Sequence, residues 1–167
     1  MRTTETSRRA GSLLAAVGGP VVLGAALGVP FGVRAILTES VLLPGLVLGL
    51  TLMMAPALYI GLSLAGVAPP ASQVGTSVGH ALRASGLVMA GLAPAMAFLL
   101  ATTLSHAFVC VLGLLAVGGA VAAGLRALWA DLVSEPARRL RAIPVFGLWC
   151  MVSLGLGAQL FIHMIGA

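Results

Sequence analysis

Apolar residues run along this chain in five long blocks, and the polar residues collect in the gaps between them. The blocks fall at about residues 10–31, 41–65, 82–102, 107–129 and 143–165. Each holds roughly 20 residues, the length of a helix that crosses the ~30 Å hydrocarbon core of a bilayer. In hydrocarbon every backbone N–H and C=O needs a partner within the protein, so each block must be helical. The pattern predicts an all-α fold: a polytopic transmembrane helical bundle of five spans, forming one integral membrane domain over residues 1–167. Gly18-Gly19-Pro20 interrupts the first block, and a four-span arrangement results if that block does not cross. Two gaps are long enough for structure of their own. One is GVAPPASQVGTSVGH, residues 66–80, with Pro69-Pro70 as a helix stop. The other is ADLVSEPARRLRA, residues 130–142.

Composition leaves little room for another class. Apolar residues make up 60% of the chain and charged residues 8%. A soluble domain carries about 25% charge and needs it to wet its surface. All nine basic residues apart from histidine are arginine, and Ala, Gly, Leu and Val dominate. That bias points to a GC-rich bacterial genome and so to the inner (cytoplasmic) membrane. The formal charge of +5 does not mark a nucleic-acid binder, because the arginines sit at span ends rather than on a solvated face with aromatics.

The arginines orient the bundle. Arg2, Arg8 and Arg9 precede the first span, Arg83 opens the third, Arg126 closes the fourth, and Arg138, Arg139 and Arg141 follow it. With the N-terminus inside, all of these are cytoplasmic, and only Arg34 falls outside, in a first loop near Glu39. Such an excess of inside arginine fixes N-terminus in and C-terminus out. The segment SRRAGSLLAA resembles a twin-arginine export signal, but Gly11 stands where that signal prefers a bulky apolar residue. Interfacial anchoring of the first span is the better reading of Arg8 and Arg9.

Small residues recur every four positions and predict faces where helix backbones approach closely. The first span shows Ala16, Pro20, Gly24, Gly28 and Gly32; the second, Gly45 and Gly49. The fourth shows Ala116, Ala120 and Gly124, and the fifth Ser153 and Gly157. Pro44 is expected in the first turn of the second span, where its missing N–H costs little. Pro20, Pro56 and Pro94 lie mid-span and predict kinks. Pro56 carries a second reading, since a broken helix at mid-membrane is one way to build a transport site.

Candidate chemistry is sparse. Glu5, Glu39, Asp131 and Glu135 are the only acids, and none is expected mid-membrane, which argues against an ion-coupled carrier. His80, His106 and His163 are expected near the interfaces, too few and too scattered for a metal site. Cys110 and Cys150 read as buried apolar thiols. No cofactor or enzyme motif is present. In SEPARRLRAIP, residues 134–144, Ser134 suits a helix cap and Arg138, Arg139 and Arg141 face anionic headgroups or an acidic partner.

LP at 43–44, Thr51, PALY at 56–59 and LAP at 92–94 resemble a family of uncharacterised bacterial multi-span proteins. The five-span layout is similar to the Yip family of eukaryotic membrane-trafficking proteins. That resemblance implies a scaffold or accessory role without catalytic residues. Two functions are therefore expected. The first is a non-catalytic subunit or scaffold of a membrane complex, with the bilayer and either other membrane subunits or copies of itself as partners. The alternative is a channel or small-solute transporter with a path at the proline-broken helices. With five spans, impermeant reagents label the two chain ends from opposite sides of the bilayer; labelling of both from one side means an even number of crossings.

Overall fold

The computed structural model describes residues 2–102, 105–132 and 136–166. Five helices account for nearly all of them: α1 (Arg2–Gly28), α2 (Val33–Leu64), α3 (Ala71–Ala101), α4 (His106–Leu132) and α5 (Pro136–Gly166). A single 3₁₀ turn, Val29–Phe31, joins α1 to α2. All five helices are long and apolar enough to cross a membrane. The protein is an integral membrane protein with an all-α fold.

The helices are longer than the apolar blocks, because a helix does not end where lipid ends. The first connection is a turn at Gly32, whose φ of +92° suits glycine, and α2 starts directly after it. Residues 33–40 hold the polar Arg34, Thr38, Glu39 and Ser40 and stay helical. Thr38 Oγ1 donates to the Arg34 carbonyl at 2.9 Å, and Ser40 Oγ donates to that of Ile36 at 2.5 Å. Arg34 and Glu39 therefore lie in α2 and not in a loop. Pro44 consequently sits about three turns inside α2 rather than in its first turn. It is buried, and it leaves the Ser40 carbonyl without its helical donor.

The second connection is equally short. Gly66, at φ +68°, follows the end of α2. Its N–H donates to the Ser63 carbonyl at 3.0 Å, and the Val67 N–H to that of Leu62 at 3.0 Å. Val67 and Leu62 are both buried in one cluster, so this is a Schellman stop with its hydrophobic contact. Pro69-Pro70 does not end α2; Pro70 instead opens α3, its carbonyl accepting from Gln73 and Val74 at 2.9 and 3.2 Å. Most of the stretch expected as a 66–80 loop is thus helix, held by buried Val74 and Ser77.

The core is built on α1. It packs most extensively on α3 and α2, α3 packs on α4, and α5 lies against α2. The contact points are glycines. A Cβ on Gly24 would strike the backbone of Glu39, and one on Gly28 would lie 2.5 Å from the Ile36 nitrogen. Gly19 and Gly86 face one another so closely that a Cβ on Gly19 would strike the Gly86 backbone, and one on Gly86 the backbone of Ala15. A Cβ on Gly124 would strike Ser85 and lie 2.9 Å from the Ala81 carbonyl. Leu23, Leu27, Leu43, Met89 and Leu100 fill the space around these contacts.

The four-residue stripes behave unequally. Ala16, Pro20, Gly24 and Gly28 are buried, as are Ala116, Ala120 and Gly124. Gly32 is not part of the face; it is the exposed turn. Gly45 and Gly49 are exposed with open space where a Cβ would stand. They do not unite helices within this chain, because α2 turns Leu43, Pro44 and Val47 inward instead.

Replacing Gly24 or Gly86 with Leu should destabilise the bundle by about 1–3 kcal/mol or more, since the obstruction is backbone. Gly75→Ala, in open space on α3, should be neutral or stabilising by up to about 1 kcal/mol. Unfolding in mixed micelles with increasing SDS measures both.

Candidate functional site

A slot of ≈ 280 Å³ between α2, α3, α4 and α5 is the feature of the described interior that invites a ligand. Leu46, Leu50 and Met54 line it from α2, and Val78 and Leu82 from α3. Leu114, Gly118, Val121 and Leu128 do so from α4, and Trp149, Leu154 and Phe161 from α5. Its existence follows from how α5 is held. Only 6% of the α5 span is buried, against 44% of the α1 span. At one end Phe161 is wedged against Gly113, where a Cβ would meet its ring at 2.9 Å. At the other, the rings of Trp129, Phe146 and Trp149 form a chain with centroids 4.9 and 5.7 Å apart. Trp149 Nε1 also donates to the Met54 carbonyl at 2.8 Å, tying α5 to α2. Pinned at both ends, α5 spans the gap without filling it.

The polar groups in the slot wall are few and mostly engaged. Thr51 Oγ1 donates to its own helix at Val47, 2.7 Å away. Ser85 is packed over Gly124. Ser153 is buried, and its Oγ has no hydrogen-bond partner. No acid, histidine or cysteine lines the slot. Among the described residues no three His, Cys, Asp or Glu side chains come together. This wall can hold an apolar molecule, but it offers no group to move a proton or bind a charge.

The prolines do not break the helices that carry them. α2 runs unbroken through Pro44 and Pro56, and α3 through Pro94. Pro56 and Pro94 are exposed and absent from the slot wall; Pro20 is buried in α1.

At the arginine-bearing end, His80 Nδ1 lies 2.8 Å from Asp131 Oδ2, joining the start of α3 to the end of α4. Sequence reading missed this pair, because 51 residues separate its members. Arg83, Arg126 and Arg141 are exposed at the same end. The Ser134 cap and the side chains of Arg138, Arg139 and His106 lie outside the described residues. At the opposite end, Glu39 Oε2, near the start of α2, is buried without a partner. Cys110 and Cys150 are free and half-buried, on α4 and α5.

No protein-family model matches the chain, and neither the curated proteins nor the solved structures compared with it give a match.

The unpartnered hydroxyl of Ser153 carries a desolvation cost without a hydrogen bond in return. Ser153→Ala should therefore raise stability by about 1 kcal/mol, read as a shift of the unfolding midpoint in detergent. Loss of stability in that variant would mean the hydroxyl is engaged in the folded protein.

Proposed function

We propose that the protein is a non-catalytic subunit or scaffold of a membrane complex, seated in the cytoplasmic membrane of a bacterium. Its N-terminus faces inside and its partners are copies of itself or other membrane subunits. The observation that carries this reading is the outward pair Gly45 and Gly49 on α2. Elsewhere in this protein glycines spaced by four bring two backbones into contact, as Gly24 and Gly28 do against α2. Gly45 and Gly49 offer the same surface with nothing on it. In lipid, where apolar burial gives helices no reason to associate, such a surface is the usual means of bringing a second helix close. The five-helix layout, similar to that of the Yip family, favours the same role.

The channel or transporter reading finds less support. It places a path at Pro56 and Pro94, which are exposed, lie outside the slot wall and sit in unbroken helices. The slot itself is too apolar to conduct an ion or a polar solute.

A single cysteine tests the proposal. In a chain with Cys110 and Cys150 replaced by Ala, Gly49→Cys should form a disulfide-linked dimer or adduct on oxidation in native membranes. Leu115→Cys, exposed on α4, serves as the control. Equal and low cross-linking at both positions would overturn the reading.

A further inference from the structure

The geometry points to the slot as a binding site for one acyl chain of an anionic glycerophospholipid. Its shape selects the occupant first. Leu114 and Leu128 of α4 both line it and lie about 20 Å apart along the helix at ~1.5 Å per residue. A volume of ≈ 280 Å³ drawn out over that length makes the slot long and narrow, the shape of an extended hydrocarbon chain. Water is excluded by the wall, since apolar cavities of about 150 Å³ already stay dry and take up hydrocarbon.

Depth and charge select the class of lipid. The slot begins at the arginine-bearing end, near Val78 and Leu128, and ends near Leu114 and Phe161. Its ~20 Å reach exceeds one leaflet, which is about half of the ~30 Å hydrocarbon core, so a chain entering from that interface can lie along its length. Arg83 follows the slot residue Leu82 in α3, and Arg126 follows Leu125 in α4; both are exposed. Asp131, the acid of that end within the described residues, is taken by His80 at 2.8 Å. The arginines are left to meet a phosphate at the headgroup level. The loosely buried α5 is the wall past which the chain enters.

Gly118 provides the test. It lines the slot, and a Cβ there would meet nothing within 4 Å, so a larger side chain fills the slot without pressing on backbone. The protein is purified in mild detergent and its retained lipid is quantified by mass spectrometry. The native chain should retain anionic phospholipid, and Gly118→Leu should retain about tenfold less. Ala158→Leu, on the facing helix, should do the same and guards against a folding defect in one variant. Arg83→Gln with Arg126→Gln should keep a bound lipid but lose the preference for an anionic headgroup. Retention of anionic lipid undiminished in both slot-filling variants overturns the proposal, as does a native chain that carries only neutral lipid or none. An undiminished anionic preference in the double Gln variant overturns the headgroup assignment.

Discussion

Close backbone contact is the constraint on which this structure rests. A bilayer removes the usual reason for apolar helices to gather, because lipid tails solvate leucine as well as another leucine does. What remains is van der Waals contact, and its yield depends on how near two backbones come. Gly24 and Gly28 let α1 and α2 approach over two turns, and Gly19 with Gly86 does the same for α1 and α3. Gly124 seats α4 on α3. These sites place α1 at the centre, and every other helix takes its position from α1 or from a helix that α1 has placed.

The slot is a consequence of that order. Among the described residues α5 has no equivalent backbone contact. Its approach to α2 is made through side chains: Val145 against Gly61 at one end and Leu50 against Gly157 further along. Side-chain spacers hold helices farther apart than glycine pairs do, and a wider spacing must be filled or left open. Phe161 and the Trp129–Phe146–Trp149 chain fill the ends. The middle, opposite Gly118 and Val121, is left open. One helix packed less tightly than the rest thus turns a simple bundle into one with room for a guest.

Much of this was legible in the sequence, and the missing parts share a cause. Hydropathy marked all five helices, and spacing by four marked Gly24, Gly28, Ala116, Ala120 and Gly124. Spacing describes one helix, however, and contact needs two. Gly45 and Gly49 have the same period as Gly24 and Gly28, yet they face outward, since only the neighbour's position decides which face is covered. Gly32 kept the period by accident and serves a turn. Gly86 sits against Ala15 and Gly19, a pair spaced by four that lies beside the stripe read from the sequence and not on it. Helix lengths were read short because hydropathy reports the solvent of a residue, not its backbone: the helices run on through polar residues such as Arg34, Glu39, Gln73 and His80. The Trp149 bond to Met54 and the His80–Asp131 pair join positions 95 and 51 residues apart, beyond the reach of local pattern.

The polar groups explain why shape, rather than hydrogen bonding, governs recognition here. Thr38, Ser40, Thr51 and Ser63 each turn their hydroxyl back to the carbonyl four residues earlier in their own helix. Such bonds satisfy the hydroxyl but add nothing between helices. Among the described residues, the His80–Asp131 pair and Trp149 do join helices, and Trp149 bonds α2 two residues before Pro56, close to where the proline loosens the helical ladder. An interhelical bond of this kind adds only about 0.6 kcal/mol in a membrane. With polar contacts so few, the features that distinguish this bundle from any other stretch of lipid-facing helix are steric: glycine grooves that accept a backbone, and a slot that accepts a chain. The proposed scaffold role and the proposed lipid site both rest on fit of this kind, which an ion-coupled carrier does not use.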